Sequence, residues 1–134
     1  EISNYAKLGY QSKHNLNYWN NGLYYGFGLG AVSYIHNKRI NNTLNFNKYL
    51  KNQYHQEIIE EDKKIKISNE FILGLRKIEG IDISKFKEKY QEDILNIPEV
   101  KKLLQEKKLI FQNNHLFIAD KYLYLSNEIL INFI

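Results

Sequence analysis

The sequence predicts an α+β chain in two parts: a strand- and loop-rich segment over residues 1–50, then a mainly helical, winged-helix-like region with a β-hairpin. Three observations predict this. The first 50 residues hold five of the seven glycines, seven of the eleven tyrosines and the single tryptophan. From about residue 51 apolar residues recur at helical spacing. Near the end, two short apolar runs flank Asn113-Asn114, a pair that tolerates the positive φ angles of a tight hairpin. At 134 residues, 43% hydrophobic and 25% charged, the chain suits one small domain or a large piece of one.

Taken in order, Ile2 to Ala6 suits a short strand, and Tyr10 to Gly22, crowded with Asn and Gly, is expected to be a loop around Leu16, Tyr18 and Trp19. Tyr24 to Ile35 is apolar throughout, with Gly26, Gly28 and Gly30 at every second position. On a strand that spacing puts all three on one face, open to close approach by a backbone or a flat ligand. Residues 51–66, through Glu60, Glu61, Asp62, Lys63 and Lys64, are expected to form an exposed charged linker.

Ser68 is the expected cap of a helix that turns Phe71, Ile72, Leu75 and Ile78 to one face, with Gly80 as its left-handed C-terminal cap. Ser84 is expected to cap a second helix carrying Phe86, Tyr90 and Ile94. The third helix has Asn96 at its cap, Pro98 in its first turn and Glu99 three residues after the cap, then Val100, Leu103 and Leu104. Leu109 to Phe111 and Leu116 to Ile118 are the hairpin strands. A last helix, capped by Ser126, directs Ile129, Leu130 and Phe133 inward.

Charge divides with composition. Residues 1–50 carry five Lys/Arg against Glu1 alone, whereas residues 51–134 are neutral, so the net +4 lies wholly in the first part. The neutral half speaks against nucleic-acid binding by the winged-helix-like unit, because its recognition-helix candidate mixes Lys101 and Lys102 with Glu99 and Glu106. No apolar run is long enough to span a bilayer and no leader is read, so a cytoplasmic location without membrane insertion is expected. The absence of cysteine excludes a thiolate nucleophile, a cysteine zinc site and an iron–sulfur cluster ligated by these residues.

Few residues offer chemistry. Gly26, Gly28 and Ala31 match G-x-G-x-x-A, but a β-rich VSYI follows where a dinucleotide fingerprint needs a helix, and no acid stands about 20 residues on. His36, His55 and His115 have no partner at metal-ligand spacing. His14 differs, because it opens HNLNYW, and an imidazole near aromatic rings can ligate haem iron while Lys13 or Arg39 meets propionates.

EISNYAKLGYQSKHNLNYW, YYGFGLGAVSYI, Arg39 with Asn42, EFILGLRKIEGID and LYLSNEI follow in order the C-terminal third of the HemW-type radical SAM proteins. The chain therefore resembles those haem chaperones, relatives of oxygen-independent coproporphyrinogen III oxidase. The resemblance implies that residues 1–50 close a partial (β/α) barrel, that 51–66 are a linker, and that 67–134 are the family's C-terminal domain. HNxxYW, present as His14, Asn15, Tyr18 and Trp19, marks the haem chaperones and makes His14 the expected iron ligand. The glycine segment is similar to a GxGxxAxS stretch that lies against S-adenosylmethionine (SAM), which implies Gly28, Gly30, Ala31 and Val32 in that pocket.

The family's CxxxCxxC motif for a [4Fe–4S] cluster is missing, so the chain is expected to be a fragment or to have lost radical chemistry. The expected function is haem binding and transfer to an acceptor protein. The alternatives are a coproporphyrinogen III oxidase, which HNLNYW speaks against, and a winged-helix nucleic-acid binder.

Overall fold

The computed structural model describes residues 5–134. Two compact units emerge: the described residues up to Asn21 with Ile67–Ile134, and Gly22–Lys66. Most of the strand expected from Ile2 to Ala6 lies outside the described residues. The chain is α+β, with two small antiparallel three-stranded sheets and six α-helices among the described residues.

The first element corrects the sequence expectation. Residues read as a loop form helix α1, Lys13–Trp19, because Ser12 caps it by accepting from the Asn15 N–H at 3.3 Å.

In the Gly22–Lys66 unit, β1 (Val32–Ile35) and β2 (Lys38–Asn42) are joined through His36 and Asn37, both at positive φ, as a two-residue hairpin requires. A short helix α2 (Phe46–Leu50), capped by Asn45, leads to β3 (His55–Glu60), and the sheet order is β1-β2-β3. The glycine segment is not one continuous strand. Gly28 and Gly30 take φ of +103° and +69°, so the chain turns there and comes back to pair Tyr24 with Tyr34. Gly26 lies where the returning chain passes so closely that a Cβ would meet the Val32 carbonyl oxygen at 2.1 Å. Residues 51–66 are also more than a linker, since β3 pairs along β2 from Lys38↔Glu60 to Asn42↔His55. Glu61, expected in an exposed charge run, is 3% exposed.

Helix α3 (Lys63–Gly74) starts in the Gly22–Lys66 unit and continues into the other, where it is followed by β4 (Ile81–Asp82), α4 (Ile83–Tyr90), α5 (Pro98–Gln105), the hairpin β5 (Leu109–Gln112) and β6 (His115–Ile118), and α6 (Ser126–Leu130). Sheet order is β4-β6-β5, and Asn113 and Asn114 take φ of 50° and 63° in the hairpin turn as expected. The core gathers Phe71, Phe86, Ile94, Val100, Leu103 and Leu116, each at most 1% exposed, and Ile129, Leu130 and Phe133 join it from the C-terminal end. Pro98 opens α5 as expected.

The helix boundaries differ from expectation for local reasons. α3 begins five residues before Ser68, with Asp62 accepting from the Ile65 N–H at 2.8 Å, and Ser68 instead donates to the Phe133 carbonyl. It ends at Gly74, so Gly80, although at positive φ, is not its cap, and Ile78 is 79% exposed. Asn96 closes a 3-10 turn, leaving Ile97 before α5, and Ser126 is the first residue of α6 without a capping bond.

Asp82, not Ser84, caps α4, accepting from the Lys85 N–H at 3.1 Å and from Asn114 Nδ2 at 3.0 Å. The Lys85 N–H bond is the main cause that holds its carboxyl below the usual carboxylate range. Asp82→Ala is expected to lower stability by about 1 kcal/mol at neutral pH, read from urea unfolding. A depressed folded pKa means this stabilisation is complete above the unfolded value. The difference between the two proteins should therefore close only as pH falls through the lowered value, and closure at higher pH would contradict the cap.

Candidate functional site

Helix α1 gathers HNLNYW. Two residues four apart share a helix face, and His14 and Tyr18 use that spacing: their ring centroids are 4.8 Å apart, edge to face at 90°. His14 is exposed, as is Lys13, while Asn15, Tyr18 and Trp19 are half-buried. The imidazole is thus oriented by an aromatic neighbour and open to solvent. At the far end, Asn20 caps the helix with its backbone N–H on the Leu16 carbonyl, and Lys77 Nζ donates to its side-chain Oδ1.

The glycine segment offers a different surface. The Gly28 carbonyl accepts from Asn42 Nδ2 at 2.9 Å, the Gly30 N–H donates to the Thr43 carbonyl at 3.0 Å, and the Ala31 carbonyl accepts from the Asn42 N–H at 2.8 Å. These polar backbone groups are engaged within their own unit. A Cβ on Gly28 would meet nothing within 4 Å, and Val32 is 36% exposed, so what remains is open space beside an apolar side chain. A groove of about 780 Å³ in that unit is lined by Thr43, Leu44, Asn45, Lys48 and His55; none of the expected site residues lines it, although Gly30 adjoins Thr43 and Leu44.

Sequence reasoning missed one cluster. Arg39 Nε donates to Glu61 Oε1, its guanidinium lies 4.6 Å over the Tyr34 ring, and Nη1 is 3.5 Å from the Tyr24 hydroxyl. This commits Arg39 to Glu61, so of the two cations considered for propionates only Lys13 is exposed. The pairing has no sequence signal, because 22 residues separate the partners and only the β2–β3 ladder brings them together. His36 lies in the β1–β2 turn, and His115 Nδ1 contacts the Asn113 carbonyl at 2.9 Å. Among the described residues no three His, Asp or Glu side chains group as a metal site, and no helix is long and apolar enough to cross a membrane.

Residues 62–123 match the HemN C-terminal domain. Over 139 aligned residues the whole chain is 33% identical to Heme chaperone HemW of Lactococcus lactis subsp. lactis (strain IL1403), covering 37% of that protein. With Heme chaperone HemW of Bacillus subtilis (strain 168), identity is 38% over 136 residues, 96% of this chain and 36% of the relative. The chain belongs to the HemN/HemW family. It spans just over a third of the length of these curated relatives. The fold is also similar to the solved structure titled "Coproporphyrinogen III oxidase (HemN) from Escherichia coli is a Radical SAM enzyme", with a TM-score of 0.65 and 16% identity, over 84% of this chain and 28% of that one. The exposed imidazole against the Tyr18 ring is a side chain of the kind that ligates haem iron, and a Cβ on Gly28 would meet nothing, so the backbone there leaves room for a ligand. A chain without cysteine does not fit a [4Fe–4S] cluster.

Proposed function

We propose that this chain is the C-terminal portion of a radical SAM family haem chaperone that binds haem and passes it to an acceptor protein in the cytoplasm. The carrying observation is the exposed His14 imidazole, set edge to face against Tyr18 on α1 within HNxxYW. In this reading His14 ligates the iron, Tyr18 and Trp19 pack against the macrocycle with Asn15 beside them, and Lys13 meets a propionate. Haem supplies the coordinated iron when bound. This chain's own part is to present an imidazole and an apolar surface.

The same reading makes residues 1–50 the end of the family's partial (β/α) barrel, 51–66 a connection that adds β3 to the preceding sheet, and 67–134 a winged-helix-like C-terminal domain. The order α3, β4, α4, α5, β5, β6, with β4 paired to β6, supports the last assignment. Gly28, Gly30, Ala31 and Val32 border SAM through shape and apolar contact, since the polar backbone groups named above are already engaged. Cluster ligands belong to a longer family member.

Haem titration followed by the Soret band tests the proposal, on this chain and on the chain extended by the family's upstream region. His14→Ala is expected to weaken binding to the extended protein at least tenfold, which is about 1.4 kcal/mol, and to shift the Soret maximum. Unchanged affinity and spectrum would remove His14 as ligand. The 134-residue chain alone is expected to bind weakly, because in this reading half the pocket wall is missing from it. Turnover of coproporphyrinogen by the extended protein would favour an oxidase instead.

A further inference from the structure

Helix α1 is a short element. It is seven residues long, buries no residue completely and has no basic residue in its last turn to complement its carbonyl end. An isolated helix of that length is marginal in water. Its N-terminal end is capped by Ser12. At its C-terminal end the Lys77 ammonium, 57 residues away in sequence but in the same compact unit, donates to Asn20 Oδ1 at 2.5 Å. A cation there satisfies the cap side chain and opposes the negative end of the helix dipole.

Lys77 is also set apart from an ordinary surface lysine. It is half-buried, and desolvation pulls its ammonium below the usual lysine range, against the opposing pull of Glu79 and Glu70. Keeping a desolvated ammonium charged requires a fixed acceptor, and Asn20 provides one.

We propose that Lys77 is a positioning residue for His14: by fastening Asn20 it holds α1 helical and so keeps the imidazole edge to face with Tyr18. This deepens the haem-chaperone reading, in which His14 is the ligand, but its consequence exists without haem. A helix that frays from Asn20 loses the i, i+4 relation of His14 and Tyr18, and with it the orientation of the imidazole.

The test uses the full 134-residue chain without haem and reads two NMR signals: the aromatic ring-current shift of the His14 ring protons and hydrogen exchange of the Leu16 and Asn20 amides. Lys77→Ala and Asn20→Ala are each expected to speed exchange of both amides at least tenfold and to move the His14 protons toward free-histidine shifts. Lys77→Arg is expected to keep both signals, and Leu103 amide exchange is expected to stay unchanged in all three. Asn20 is exposed, so its variant reports on the tether even if Lys77→Ala perturbs folding. Wild-type exchange and shifts in Asn20→Ala would overturn the proposal. If both signals change as expected while haem affinity of the extended protein is indifferent to His14→Ala, the tether stands and the ligand role falls.

Discussion

Phe71→Ala is expected to destabilise the helical unit by about 3–5 kcal/mol, measured by urea or thermal unfolding followed by circular dichroism. Phe71 is 1% exposed on α3 and stacks on Phe133, with centroids 4.1 Å apart and planes within 10°, while meeting Phe86 at 5.7 Å. Its ring therefore joins α3, α4 and the C-terminal 3-10 turn at one point. Truncation removes the transfer free energy of a benzyl group, leaves a cavity and breaks two aromatic contacts. The same turn is tied to α3 by the Ser68 hydroxyl, which donates to the Phe133 carbonyl, so collapse into the cavity has to strain that bond. Phe71→Leu keeps most of the volume and should cost well under half as much. A loss below about 1 kcal/mol for Phe71→Ala would mean that α3 is not anchored through this ring.

The core containing Phe71 was legible because helix and hairpin patterns are local. Phe86 with Tyr90 and Val100 with Leu103 each announce a buried face within one helix, Leu109 and Leu116 lie one on each hairpin strand, and all are buried. Caps were harder to place, because Asp82 and Ser84 both stand near the start of α4 and only the backbone path decides that Asp82 accepts from Lys85. Helix α1 was obscured by its asparagines, which favour loops in isolation, while a single serine cap and its tertiary tether decide in favour of helix. The glycine segment failed for a related reason. Alternation suggested one flat strand, but glycine also permits the positive φ at Gly28 and Gly30 that turns the chain back. For the candidate site, motif order marked His14 and its neighbours, whereas the edge-to-face setting of the imidazole needed the helix. Glu61 was illegible, since its burial depends on a strand pairing that no local pattern encodes.

That residue carries the second large effect. Arg39→Ala is expected to cost about 3–5 kcal/mol and Glu61→Ala somewhat less, because the two deletions strand different charges. The Glu61 side chain is 1% exposed, so losing Arg39 takes the guanidinium away from a carboxylate held in the interior. The Arg39 side chain keeps 24% exposure and recovers some hydration when Glu61 is removed. Asymmetry of this sign distinguishes a buried pair from two independent surface charges, which would each cost a few tenths of a kcal/mol. Replacing both at once, as Arg39→Met with Glu61→Leu, should be milder than Arg39→Ala alone, because no charge is left unpaired. The Glu61 backbone N–H also donates to the Asn37 carbonyl at 2.9 Å, so disturbance should spread along the β1–β2 hairpin. Hydrogen exchange should accordingly accelerate at Ile40 and Ile58 and stay unchanged at Leu103, whose helix belongs to the other unit. Additive single and double effects would show that the two side chains contribute separately, and the cluster would then be an accident of proximity with no hold on the β2–β3 ladder.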